Sequence, residues 1–536
     1  MSTVITQRQI ELSPLPAATL SSSRYSPHGD IATSPHPGRQ IFEATGTNTV
    51  GRSRQLSATI LIIASNLVQM LSNITSMSGG LAISKSLGID TGPGKANWIA
   101  ASYPLTQGTF VLISGRLGEI YSHRRILLLG GIWLTLWSLI NGFCDNFISF
   151  NIARAMAGIG GALIMPNAVA MISITCPPGK LRNTSLGFFG ASGPISGSIG
   201  SIFVGLVIQY LQWRWIYFIL AFICVPVFGL LWFLLPHENA VDPGGKLDFV
   251  GAALGTSGLI VFNIAWNQAP AVGWSTPYEV VFLLLSIILL CSFCIWEGKY
   301  ASKPIMPLDI WNAPSFFPLV FVVLFSFMSF ATLLWYMIAW QQEVRHWTVL
   351  RFGIGWIPFG VFGTLGALLA GWLIPRLAAQ WILAIGLGTV LVANLLLATM
   401  PDQQIYWAQV FPATILMAFC PDLVYTAAQI IASNTVRRSQ QGTAASLIGL
   451  LNLYGGSLGL GFAGTVETEV NKSAIDVTAG YKGALYFGAG VAALALLFDV
   501  LYVRMVRDQR EGWENPEDAD AAAEPEATST ATGFRL

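Results

Sequence analysis

Fourteen apolar runs, each close to the roughly 20 residues a helix needs to cross a bilayer, decide what this 536-residue chain can fold into. They fall at approximately 57–78, 97–115, 126–144, 148–173, 185–208, 215–235, 248–266, 277–296, 316–340, 353–374, 381–399, 405–432, 443–466 and 483–503. Only 10% of the residues are charged and 53% are hydrophobic, whereas soluble domains carry about 25% charged residues. An ordinary aqueous surface cannot be built from that composition. The expected fold class is an all-α polytopic membrane protein. Its 54 glycines and 18 tryptophans suit that class, because glycine lets membrane helices approach closely and tryptophan sits at the interfaces. Two runs fit least well: the seventh holds Asn263 and several glycines, and Pro421-Asp422 interrupts the twelfth.

Lysine and arginine in short loops set orientation. The side carrying the loop around Arg116, Arg124 and Arg125 holds eleven, including Lys303, Arg437 and Arg438, against seven on the other side. Arg52, Arg54, Arg504, Arg507 and Arg510 on the flanks widen this to sixteen against seven. An even number of spans with basic flanks places both termini in the cytoplasm. Residues 1–55, polar and rich in Ser and Pro, read as a disordered tail without the early apolar core of a signal peptide. The acidic, Ala-rich segment 506–536 reads as a second disordered tail. Cys291 and Cys294 form a C-x-x-C on an apolar run, where two small packing residues are expected instead of a metal or redox pair. The sequon Asn471-Lys472-Ser473 falls in an outer loop and can carry a glycan, while Asn183-Thr184-Ser185 falls on the cytoplasmic side. No nucleophile–base set, metal-ligand cluster or phosphate loop stands out. Catalysis, a cofactor, a metal and a nucleic-acid partner are all unexpected.

Four groups of residues carry chemistry. Gly115–Arg125 sets Gly115, Arg116, Gly118, Glu119, His123, Arg124 and Arg125 between two spans. A topogenic loop needs only the arginines; glycines and an acid at this spacing point to a gating loop, with Glu119 placed to pair with a neighbouring Arg. Arg154 lies inside the fourth span, ahead of Gly158, Gly160 and Gly161. A mid-span Arg costs about 2.5–3.5 kcal/mol on insertion scales, so it needs a wet cavity or a partner. The fifth span carries Gly187, Gly190, Gly193, Pro194, Gly197 and Gly200, a pattern that bends a helix and packs it closely. Polar stripes form the fourth group: Asn66, Gln69 and Asn73 on the first span, and Asp422, Gln429 and Ser433 on the twelfth. Asp422 reads either as a cavity or proton-linked group or as the cap of a helix broken at Pro421. Asn263, Asn267 and Gln268 mark the seventh span, and Asp499, near the inner end of the last, is expected to pair with Arg504 or water.

With these motifs the chain resembles the major facilitator superfamily over roughly residues 55–505, within it the fourteen-span drug:proton antiporter branch and especially its fungal members. Gly115–Arg125 is similar to the family's loop between spans two and three, with Glu119 where Asp is usual and Ser122-His123 where Gly-Arg is common. Arg154 with Gly158 and Gly160–Ala162 resembles the span-four motif, whose Arg is associated with proton transfer. Gly193-Pro194-Ile-Ser-Gly197-Ser198 resembles the span-five antiporter motif, with Phe189 and Ser198 replacing its first and last Gly. Trp213-Arg214-Trp215 is also similar to this branch. The usual span-one Asp is missing, which leaves Asp422 as the leading candidate for the titrating carboxylate.

The resemblance implies two six-helix bundles (56–236 and 301–505) flanking two additional helices (237–300). A small-molecule substrate would bind at the midplane between them, reached alternately from either side. It implies an exporter of a drug, toxin or secondary metabolite in exchange for protons, monomeric, in the plasma or vacuolar membrane. Arg154 and Asp422 would serve proton coupling. Gly193, Pro194 and Gly197 would set bundle contacts, and Arg116, Glu119 and Arg124 would hold the outward-facing state closed on the cytoplasmic side. Asn66, Gln69, Asn73, Trp335 and Gln429 would line the cavity, with Trp98 and Tyr336 as further aromatic walls. The rival readings are a carrier of ammonium, borate or an amino acid on the same fold, and a sensor that does not transport.

Overall fold

Hydrocarbon offers no partner to a backbone N–H or C=O, so a chain this apolar must satisfy its backbone within helices. The structure, a computed structural model, describes residues 52–89, 92–176, 179–301, 304–436, 440–472 and 477–504. Nearly all of both expected tails, with Lys303, Arg437, Arg438, Arg507, Arg510 and Ser473, lies outside the described residues. Residues 52–55, expected in the first tail, already belong to the first helix.

The helices in chain order are α1 (Arg52–Ser78), α2 (Gly80–Ser86), the single turn α3 (Pro93–Ala96), α4 (Trp98–Tyr121), α5 (His123–Gly142), α6 (Phe147–Thr175), α7 (Lys180–Tyr210) and α8 (Arg214–Leu234). There follow α9 (Phe249–Val272), α10 (Pro277–Lys299), α11 (Phe316–Ala339, continued by a π-helical turn to Val344), α12 (Val349–Gly355) and α13 (Ile357–Leu373). The last four are α14 (Ala379–Ala398), α15 (Val410–Thr435), α16 (Gln441–Asn471) and α17 (Val477–Tyr502). Counting α12 and α13 as one kinked span, with Pro358 in the first turn of α13, the fourteen expected spans are all present. Asn146, Asp248 and Thr348 start α6, α9 and α12 by accepting a backbone N–H with the side chain, the usual role of a helix N-cap.

Thirteen of these spans are long and apolar enough to cross a membrane on composition alone, and α4 is the exception. Ser102, Tyr103, Thr106, Gln107 and Thr109 lower its hydropathy, yet all five are buried against neighbouring helices. The seventh and twelfth spans, which fit least well in sequence, are continuous helices. Pro421 sits inside α15 without breaking it, so Asp422 caps no broken end.

One bundle forms from α1 and α4–α8, the second from α11–α17, and α9 packs with α10 beside them. The bundles meet where α7 lies on α12 and α13 and where α4 lies on α16. Gly108 makes the second contact: a Cβ there would come within 2.8 Å of the Tyr454 backbone nitrogen. Helix α9 seals this seam with amides. Asn97 Nδ2 donates to Asn267 Oδ1 at 3.1 Å, Asn267 Nδ2 donates to Asn263 Oδ1 at 2.8 Å, and Ser457 Oγ lies 3.0 Å from Asn263 Oδ1. Trp98 Nε1 donates to Gln268 at 2.9 Å. The polar residues of the seventh span therefore join α4, α9 and α16.

Candidate functional site

The Gly115–Arg125 segment, expected as a loop, is helical except at Ser122, with the end of α4 running to Tyr121 and α5 starting at His123. It defines one side of the molecule, called here the loop side, and the opposite side is the far side. Gly118 is forced by packing, because a Cβ would collide with the hydrogen-bonded pair of His123 Nδ1 and Asn167 Oδ1, 2.8 Å apart. Gly115 faces the second bundle, its Cβ position 3.4 Å from Ser446 Oγ. Arg116 pairs with Glu119 at 2.7 Å and with Asp242 at 2.6 Å. Arg124 stays out of this cluster: it donates to the Trp232 carbonyl at 2.7 Å, while Arg125 is exposed. The expected Arg116–Glu119–Arg124 group is therefore an Arg116–Glu119–Asp242 group. Residues 236–248, between α8 and α9, act as a strap over the loop. The Asp242 backbone N–H donates to the Glu119 carbonyl at 3.0 Å, and Glu238 accepts from the backbone N–H groups of His123 and Arg124, each at 3.3 Å. A carboxylate at the first N–H groups of α5 is favoured by the helix dipole. This strap was not legible in sequence, because its partners lie more than a hundred residues away.

Helix α7, with Pro194 inside it, reports how the bundles sit. Pro194 packs against Gly363 of α13, and a Cβ on Gly197 would lie 3.1 Å from the Phe359 ring. A Cβ on Gly193 would meet no atom within 4 Å, so the expected bundle contact at Gly193 does not form. One and two turns toward the loop side, the positions where Gly190 and Gly187 would carry a Cβ have no atom within 4 Å. The same face is closed toward the far side and bare toward the loop side.

The far side is shut by contacts across the bundles. Gln342 donates to the Ser78 carbonyl at 2.9 Å, Trp335 Nε1 donates to the Pro93 carbonyl at 3.1 Å, and Lys85 pairs with Glu343 at 2.9 Å. Trp335, expected on a cavity wall, is fully buried in this closure. Trp98 and Tyr336 are engaged here too, the latter donating to Glu467 at 2.7 Å.

Arg154 is fully buried within the first bundle. Its guanidinium donates to Ser72 Oγ at 3.0 Å and to the Ser72 carbonyl at 2.6 Å, and lies 4.6 and 5.5 Å from the ring centres of Tyr103 and Tyr217. Two aromatic faces and one serine hold this cation, and no ion pair reaches it among the described residues. Cation–π contacts of this kind strengthen where water is excluded.

The polar stripe of α1 turns inward. Asn66 donates to Ser192 Oγ at 2.6 Å, Gln69 donates to Asn66 Oδ1 at 2.9 Å, and Gln107 donates to Gln69 Oε1 at 2.8 Å. Asn66 and Gln69 are thus bonded within the bundle in this conformation instead of facing an open cavity, whereas Asn73 is half-buried. Gln429 donates to the Ala445 carbonyl at 3.0 Å, tying α15 to α16. Asp422 is half-buried on α15, one turn loopward of Ala418, whose carbonyl lies 3.6 Å from the Cβ positions of Gly363 and Gly366. Asp499 is buried in α17 and its Oδ1 has no hydrogen-bond partner, so the expected pairing with Arg504 does not form. Asn471 ends α16 and accepts from the Gly480 N–H at 3.0 Å. Glu467 escaped the sequence reading because it falls one residue beyond the apolar run 443–466. A lone acid at the mouth of a span was the available signal.

Two six-span bundles with two further helices beside them, a span-four Arg and a glycine-lined seam now stand beside a direct match. The sequence profile of the Major Facilitator Superfamily covers residues 61–460 and 359–532. The chain belongs to the major facilitator superfamily. It is a membrane transporter and not an enzyme. It is 34% identical to a low affinity ammonium transporter of Saccharomyces cerevisiae, over 77% of this chain and 81% of that one. It is 33% identical to a major facilitator superfamily multidrug transporter of Aspergillus fumigatus, over 80% and 76%. Among solved structures, a bacterial homologue of the human lysosomal transporter Spinster, in an inward-facing and unoccupied conformation, superposes with a TM-score of 0.59 at 16% identity. That match covers 84% of this chain and 97% of the other, and it shows the shared superfamily fold.

Proposed function

We propose that this transporter exports a small organic molecule by alternating access, in exchange for protons. The observation that carries the reading is the α7 face, closed at Pro194 and Gly197 and bare at Gly190 and Gly187. A binding region between the bundles that opens toward one side only is what alternating access requires. The lysine and arginine bias makes the loop side cytoplasmic, with both termini there, so this conformation faces inward. The bundle limits 56–236 and 301–505, with 237–300 between them, belong to the same reading, as do a monomeric state and a place in the plasma membrane.

In this mechanism substrate enters from the loop side and contacts Asp422 and the bare face of α7. Pro194 and Gly197 act as the pivot on which the bundles rock. The Arg116–Glu119–Asp242 group gates the loop side. Arg154, held by Ser72 beside Tyr103 and Tyr217, tunes proton transfer, and Asp422 carries the proton. Asn66, Gln69, Asn73, Trp335 and Gln429 join the cavity as the bundles rearrange. Each proton crossing inward supplies about 2.3 kcal/mol per 100 mV, enough to drive uphill export. Asn471 carries a glycan on the far side, which an endoglycosidase mobility shift would test.

The relative named as a low affinity ammonium transporter supports a second reading, carriage of a small inorganic cation. Expression in fungal cells stripped of their own pumps separates the two. Export predicts lower accumulation of labelled organic compounds, restored to control levels by a protonophore. Unchanged accumulation of every compound, together with rescued growth on limiting ammonium, would overturn it.

A further inference from the structure

Outside the residues assigned so far, one carboxylate stands at the contact that must break when the far side opens. Glu467 is 4% exposed and lies one turn from the far-side end of α16. Its Oε2 accepts from Tyr336 on α11 at 2.7 Å. The turn α3, which leads into α4 of the other bundle, rests directly on it: a Cβ on Gly94 would lie 2.5 Å from Glu467 Oε2 and 3.1 Å from the Gly464 carbonyl oxygen. A side chain there would have to displace the Glu467 carboxylate, so α3 reaches α16 backbone to side chain. Trp335 fixes the same turn by donating to Pro93. No ion pair reaches Glu467 among the described residues.

The surrounding groups can be named element by element. Helix α3 contributes Lys95, which is exposed; α11 contributes Tyr336. Helix α17 contributes Tyr481, its ring 5.8 Å from that of Tyr336, followed by Lys482, which pairs with Asp402 at 3.3 Å. The π-helical turn after α11 contributes Glu343, engaged with Lys85, and α9 brings Pro270 against Gly464. Two tyrosines and a glycine backbone dominate the immediate shell.

We propose that Glu467 is the proton-binding group of the far-side gate, uncharged while α3 lies on α16 and charged once α3 lifts away. Burial makes the charged carboxylate costly even though Tyr336, the Gly94 backbone N–H and nearby Lys95 favour it, whereas a neutral carboxyl still accepts from Tyr336 and needs no counter-charge. When the bundles part on the far side, water reaches the group and solvates its charge. The state that holds the proton more tightly is the one that protons populate. A proton arriving from an acidic far side therefore closes the gate and returns the transporter to its loop-side-open form after substrate has left. The step moves one proton and makes or breaks no other covalent bond. This assignment rests on the reading of the chain as a proton-coupled exporter, and it gives that cycle a second proton-dependent residue besides Asp422.

The test uses the full chain in nanodiscs, with the exposed Cys291 and Cys294 replaced by Ser and spin labels at the exposed positions Ser86 and His346. Electron–electron resonance distances give the closed-to-open ratio across roughly pH 5–9, which brackets the range of perturbed carboxyls. In the otherwise unsubstituted chain the ratio rises on acidification, by up to about tenfold per pH unit, the limit for one linked proton. Glu467→Gln, which mimics the neutral acid, holds the gate closed at every pH. Glu467→Asp keeps a pH response with a smaller closed fraction, because the shorter side chain loses Tyr336. A Glu467→Gln protein that retains the full pH response overturns the proposal. Proton uptake during efflux, measured on the same preparation in proteoliposomes, separates the two levels. Uptake with an unaltered Glu467→Gln response sinks the gate assignment alone, and absence of both uptake and pH response sinks proton coupling with it.

Discussion

Ser122 occupies a backbone conformation with φ of 92°, a region where any side chain is strained and glycine is not. It lies between α4 and α5, at the turn inside Gly115–Arg125. Strain of this kind costs about 1–3 kcal/mol and persists only where the surroundings enforce it. Ser122→Gly should raise the thermal midpoint of the purified protein, and a lower midpoint would show that the serine side chain compensates the turn. At Arg154 the expectation is opposite in sign. Arg154→Ala should abolish pH-driven efflux while the protein still reaches the membrane. Arg154→Lys should stay at least about tenfold below the original, because an ammonium cannot reproduce a planar fork shared between Ser72 and two tyrosine faces. Full efflux by either variant would remove Arg154 from the mechanism. Arg154 was legible in the sequence because a cation inside an apolar run is rare. Its partners were not, since Ser72, Tyr103 and Tyr217 are ordinary residues on three other helices. For the same reason nothing in the sequence foretold that Asn66 and Gln69 would turn inward.

At the scale of elements, the strap 236–248 links the Gly115–Arg125 segment to the additional helices. Arg116 and Asp242 are both partly exposed, so their pair is worth at most about 1 kcal/mol. A double-mutant cycle of Arg116→Gln with Asp242→Asn, read as loss of thermal stability, should give a coupling energy within that limit. A value near zero would mean that the strap holds the loop through Glu238 and the backbone instead. The helices themselves were readable from hydropathy, because the bilayer imposes one length and one composition on each run. That rule weakened at α4, whose polar face is satisfied by other helices, and it misjudged α15, where Pro421 is absorbed without a break. Helix α9 showed its amides in sequence but not their purpose, since their partners Asn97 and Ser457 lie on other spans.

At the scale of the molecule, two bundles closed on the far side and parted along α7 describe one of the two states a carrier must visit. The superfamily was legible because Gly115–Arg125, Arg154 and the Gly193-Pro194 pair are local motifs. The conformational state was not, because it depends on contacts between segments such as Ser78 with Gln342 and Pro93 with Trp335. The most direct test of the central claim measures internal pH and substrate together in sealed proteoliposomes, with the far side of the protein facing an acidic medium. Proton-driven export predicts that protons move in as substrate moves out, and that substrate efflux falls to the leak rate when the pH difference is removed. Substrate efflux at the same rate with and without the pH difference, and with no proton movement, would contradict the account.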